Sequence, residues 1–154
     1  MKLLVLAVFA AACGGSHGSP ATPTGVAHAG NDPVSCTWIT AADVEQATGK
    51  KVAIAPDQTD ENSCDYAEPD SGKTVAVITR HAGGDFAAIS GEAFAMSNAP
   101  ADVAGIGDRA QYAEFKNGAG ANLVFVKNGN VIVLGGSEHQ TQYAALAKKA
   151  LSRL

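Results

Sequence analysis

Leu123-Val124-Phe125-Val126-Lys127-Asn128-Gly129-Asn130-Val131-Ile132-Val133-Leu134 is two β-rich runs joined by an Asn-Gly pair. A two-residue type I′ turn needs positive φ at both central positions, which Asn and Gly tolerate best, so this stretch is expected to be a β-hairpin. Downstream, Tyr143, Leu146, Ala147, Ala150, Leu151 and Leu154 make one helical stripe. Lys148, Lys149 and Arg153 sit near the end of that helix, where the macrodipole favours cations. Upstream, Gly105-Ile106-Gly107-Asp108 reads as a positive-φ turn into a strand at 109–115, with Asp108 bonding the turn backbone.

Further upstream, Phe86, Ile89, Ala93 and Met96 share a face of a helix expected at 86–97, capped by Asp85, with Met96 filling a gap in the core. Strands are expected at 51–55, 63–68 and 74–80. The last of these, Thr74-Val75-Ala76-Val77-Ile78-Thr79, is β-branched and apolar on both faces, which suits the middle of a sheet. Thr40-Ala41-Ala42-Asp43 fits a capping box, Ile39 and Val44 fit the hydrophobic staple, and Gly49 suits the left-handed stop of that first helix. The order is α-β-β-β-α-β-β-β-α. The fold class is therefore α+β, with antiparallel sheet covered by helices. Two α-β-β-β units suggest a duplication, though no residue-level repeat accompanies it.

The 154 residues have room for one ordinary domain. Alanine supplies 30 of the residues counted as hydrophobic, so about 33 larger apolar side chains remain for the core once the first thirteen positions are set aside. A net charge of −4 and a pI near 5.4 argue against a nucleic-acid binder, because phosphate contacts need clustered Lys and Arg.

Residues 1–12 carry one Lys and then an apolar run from Leu3 to Ala12. That run spans about 15 Å as a helix, half the hydrocarbon core of a membrane, so it reads as an export signal. With Cys13 directly after Ala10-Ala11-Ala12, it resembles a bacterial lipoprotein signal. The resemblance implies cleavage before Cys13 and a lipid on its thiol. The chain would then be held at the outer membrane of a two-membrane host, or on the outer face of the cell membrane otherwise. Residues 13–32, rich in Gly, Ser, Pro, Thr and Ala, are expected to be a tether reaching roughly 24 Å. His17 and His28 fall within it and are expected to be solvated linker residues rather than metal ligands. Residues 33–154 form the expected single domain. Cys36, the Thr40–Gly49 helix, Cys64-Asp65-Tyr66 and Gly105-Ile106-Gly107-Asp108-Arg109-Ala110 before the hairpin resemble a group of exported bacterial lipoprotein domains of unknown function. That resemblance implies an α/β/α sandwich-like architecture but no activity.

Cys36 and Cys64, an even pair in an exported domain, are expected to form a disulfide. Closing a loop of about 29 residues is worth about 3–4 kcal/mol in the chain-entropy picture. Trp38 is expected to pack against that bridge. Asp57, Asp60, Glu61, Asp65, Glu68 and Asp70 put six acids in fourteen residues, but without EF-hand spacing, so a solvated loop is expected rather than a calcium site. His81 and His139 lack sequence-adjacent partners and are expected in surface or capping roles. No dinucleotide fingerprint, phosphate loop, zinc-protease helix or nucleophile elbow is present, so no catalytic residue, cofactor or metal is expected.

The expected function is a non-enzymatic, lipid-anchored binding or envelope-accessory module with a protein or small-molecule partner. One alternative is a small exported hydrolase in which Asp108, Glu114 or His81 meets another titratable group in a cleft. The other is a homo-oligomeric structural lipoprotein with an exposed apolar sheet face.

Overall fold

The Asn-Gly hairpin lies in the middle of one continuous antiparallel sheet. The computed structural model describes residues 34–154. The signal, Cys13, the tether, His17 and His28 lie outside the described residues. In chain order the elements are α1 (Val34–Trp38), α2 (Ala41–Thr48), β1 (Ala53–Ile54), a 3-10 turn (Pro56–Gln58), β2 (Ser63–Ala67) and β3 (Thr74–Ala82). They continue with α3 (Phe86–Ala93), β4 (Ala101–Asp102), β5 (Arg109–Glu114), β6 (Ala121–Lys127), β7 (Asn130–Gly136) and α4 (Gln140–Leu151). The spatial order of strands is β1-β2-β3-β7-β6-β5-β4. The hairpin register is set by Lys127 opposite Asn130, across a turn with φ 50° at Asn128 and φ 72° at Gly129.

Local chemistry explains most boundaries. Thr40 accepts from the Asp43 backbone N–H while the Asp43 carboxylate accepts from the Thr40 N–H, and Gly49 closes α2 at φ 72°. Asp85 caps α3 by accepting from the Ala88 N–H at 2.8 Å. β3 is paired on both sides, with β2 and β7, as its two-faced apolar pattern requires.

Alternation along the strands assigns the faces. Cys64, Tyr66, Ile78, Leu123, Phe125, Ile132 and Leu134 point to one face and pack beneath α1, α2 and α4. Trp38 lies in the same core as Cys36 and Cys64, which are joined by a disulfide with a Cα–Cα distance of 5.2 Å. Val124, Val131 and Ala113 point the other way, with Val126 and Val133 beside them, and are covered by Phe86, Ile89, Ala93 and Phe94. Helices thus lie on both sides of the sheet. The two α-β-β-β units differ in packing: α2 covers one face and α3 the other, whereas a two-fold relating β3 to β7 would put both on one face.

Several elements depart from expectation. α1 and β4 are additional, being too short to show a period. The strand expected at 51–55 shrinks to Ala53–Ile54 because Pro56, which has no N–H to donate to a ladder, begins the 3-10 turn. The helix expected at 86–97 stops at Ala93. There the Asn122 amide on β6 donates to the Ala93 carbonyl at 2.5 Å, and the chain turns out so that Ser97 bridges Phe115 on the edge of β5. Met96 is consequently no core filler but 75% exposed. Gly105 and Gly107 do take positive φ, at 76° and 60°. A Cβ on Gly107 would also lie 2.3 Å from the Val126 carbonyl oxygen. The Asp108 carboxylate, however, pairs with Lys127 Nζ at 3.0 Å rather than with the turn backbone.

Candidate functional site

Among the described residues, three places combine polar side chains with a buried charge or a concavity, and their surroundings decide what each can do. The first lies where β7 runs into α4. Gly135-Gly136-Ser137-Glu138-His139 turns the chain there, and Lys50 Nζ meets the buried Glu138 Oε1 at 2.5 Å. The Glu138 backbone N–H donates to the Tyr143 hydroxyl at 3.2 Å. Close by, the Tyr112 hydroxyl donates to Glu114 Oε1 at 3.2 Å, and His139 Nδ1 lies 3.5 Å from the same oxygen. Desolvation first, then the Glu114 charge, pushes the Tyr112 phenol up to about 12. Burial pushes the Tyr143 phenol above its ordinary value. Both phenols therefore hold their protons at neutral pH. Their hydroxyls peg the corner by hydrogen bonds, Tyr112 donating to Glu114 and Tyr143 accepting from the Glu138 N–H.

The second place is the seam between α2 and α4. Arg153 Nη1 donates to Asp43 Oδ2 at 2.5 Å and to the Trp38 carbonyl at 2.8 Å, while Lys149 Nζ stands 3.7 Å from Asp43 Oδ1. The Arg153 hydrogen bond holds the Asp43 carboxyl well below the usual carboxylate range, against the opposing effect of burial. A groove of about 250 Å³ runs beside it, lined by Gln46, Ala47, Ala145 and Leu146 together with Asp43 and Lys149. Its only buried charge is already bound to Arg153, and its remaining polar groups, Gln46 and Lys149, lie toward solvent around an alanine and leucine floor.

The third place is the end of α3. The early stop of that helix leaves a solvent-open cavity of about 520 Å³, lined by Glu92, Ala93, Met96, Phe115, Lys116, Asn117 and Asn122. Ala93, Met96 and Phe115 supply an apolar wall; Lys116, Asn117 and Glu92 supply charge and hydrogen-bonding capacity at the rim. The cavity's volume falls in the range of small-ligand sites, and it is open to solvent rather than enclosed. Of the three, this is the candidate binding site. Nothing in the sequence pattern announced it, because it forms where the end of α3 meets β6 and the segment after β5, residues distant in sequence.

The other residues singled out in the sequence are scattered. Glu114 touches Tyr112 and His139, and Asp108 touches Lys127, but neither carboxylate lines the cavity. His81 is half-buried on β3, and His139 occupies the N-cap position of α4 without a side-chain cap. Of the six acids, Asp57, Asp60, Glu61 and Asp70 are exposed, as expected of a solvated loop. Asp65 departs from that expectation. It is 6% exposed on β2, opposite Val77, because its pleat position turns it away from water. Burial raises its carboxyl above the ordinary value, and its Oδ1 has no hydrogen-bond partner. Among the described residues, no group of three or more His, Cys, Asp or Glu could hold a metal ion. No helix among them is long and apolar enough to cross a membrane. Ile54 and Met96 are the large apolar side chains exposed among them, at an edge strand and in the cavity wall respectively. No family model matches the chain, and no curated protein matches it.

Proposed function

We propose that the chain is an exported lipoprotein, anchored through a lipid on Cys13, whose domain acts as a binding or envelope-accessory module. The observation that carries this reading is the buried Cys36–Cys64 bridge, because disulfides persist in oxidising compartments outside the cytoplasm. It supports the reading of residues 1–12 as an export signal and leaves Cys13 as the thiol open to lipid. The open cavity at the end of α3 supports binding, with an amphipathic ligand of the envelope as occupant: an apolar part against Met96 and Phe115, an anionic or polar part toward Lys116.

Labelled fatty acid fed to the producing cells tests the anchor. Label should enter the wild-type chain and be absent from Cys13→Ala; an unlabelled wild type overturns it. Thermal unfolding in detergent extracts of the envelope tests binding. The midpoint should rise relative to buffer, and the rise should disappear in Lys116→Glu. A midpoint indifferent to every envelope fraction overturns the binding reading.

A further inference from the structure

We propose that Met96 is a reversible oxidation site whose substrate is a hydroperoxide. Among residues 34–154 it is the only methionine, and it is 75% exposed. The two cysteines of that region are tied to each other and buried at 5% and 0% exposure, and Trp38 is 7% exposed. The fold therefore withdraws every other soft, easily oxidised sulfur or indole of the described region and presents one. Its backbone position is held, since the Met96 carbonyl accepts from Lys116 N–H at 3.1 Å beside the Ser97–Phe115 bridge. The thioether is thus displayed on the cavity wall with Ala93 and Phe115.

In the forward step the Met96 sulfur attacks one peroxide oxygen, the O–O bond breaks and an S–O bond forms. The sulfur loses two electrons, and the other oxygen leaves with the proton as water or an alcohol. Return requires two thiols of a methionine sulfoxide reductase, which take the oxygen off as water and become a disulfide. The exchange swaps an apolar wall for a polar acceptor beside Lys116 and Asn117, altering what the cavity can hold without disturbing the core.

Limited hydrogen peroxide treatment of the full chain, with peptide mass mapping, tests this alongside Met96→Leu. One oxygen should appear on the Met96 peptide at a rate within about threefold of that in the guanidinium-unfolded chain. The Cys36–Cys64 peptide should stay linked, Trp38 should stay unmodified, and sulfoxide reductase should restore the native protein. In Met96→Leu, oxygen uptake within residues 34–154 should vanish. The proposal is overturned if native Met96 reacts about tenfold or more slowly than unfolded, if Trp38 reacts first, if the variant takes up as much oxygen, or if the reductase cannot act on the folded chain.

Discussion

The two faces of the sheet are built to different standards. Between the sheet and the layer of α1, α2 and α4 are packed Ile39, Tyr66, Ile78, Leu123, Phe125, Ile132, Leu134, Tyr143 and Leu146, each at 2% exposure or less. That face is also crossed by the disulfide, by the Tyr66 hydroxyl donating to the Ile39 carbonyl, and by the Arg153–Asp43 clasp. The opposite face has a single helix of eight residues over a smaller apolar cluster, with half-buried valines, a buried acid and an open cavity. The difference teaches that stability and access are segregated. A chain with few large apolar residues concentrates them on one side and leaves the other side for contact.

Substitutions on the two faces put that division at risk, and their expected effects fall in a clear order. Phe125→Ala empties a fully buried site on the thick face and should cost about 3–5 kcal/mol in chemical denaturation. A loss under about 1 kcal/mol would mean that this face is loosely packed. Replacing both Cys36 and Cys64 by Ser should cost about 2–5 kcal/mol, and two free thiols on alkylation of the untreated protein would remove the staple from the picture.

Arg153→Ala should cost about 1–2 kcal/mol near neutral pH, discounted because Arg153 is one-third exposed. The Asp43 pKa is depressed in the folded state, so its contribution is present above the ordinary carboxylate range and fades as pH falls below it. The gap between wild type and Arg153→Ala should therefore narrow on acidification; a gap independent of pH would show that the clasp is not ionic. Asp65 has the opposite sign. Its raised pKa means the folded state binds the extra proton, so its stabilising share is lost as pH rises through that range. Asp65→Asn should raise the thermal midpoint at neutral pH and lose that advantage in acid. Val133→Ala, half-buried on the thin face, should cost least, under about 1.5 kcal/mol.

What the sequence made legible was what is locally determined. The Asn128-Gly129 turn, the Thr40–Asp43 box, the Asp85 cap, the α4 stripe and the central placement of β3 each follow from neighbours a few residues apart. What it concealed depends on distant partners. Asp43 and Arg153 are 110 residues apart and Lys50 and Glu138 are 88 apart, so no local pattern could join them. The apolar stripe Phe86–Ile89–Ala93–Met96 argued for a longer helix, but the contacts at its actual end come from afar: the Asn122 amide on the Ala93 carbonyl, 29 residues on, the Lys116 N–H on the Met96 carbonyl, and the Ser97–Phe115 bridge. The candidate cavity and the exposed Met96 both lie at that junction. Asp65 was hidden for a different reason: in a short strand flanked by acids, burial depends on which face the neighbouring elements cover.

Native-state hydrogen exchange, resolved by residue, examines the division between faces most directly. The amides of α4 and of β3, β6 and β7 should exchange only through global unfolding, at one common free energy. The amides of α3 should exchange through local opening, with protection at least about tenfold lower and insensitive to reduction of the disulfide. Protection in α3 equal to that in α4, lost together with it on reduction, would contradict the separation of a stapled, load-carrying face from an accessible one.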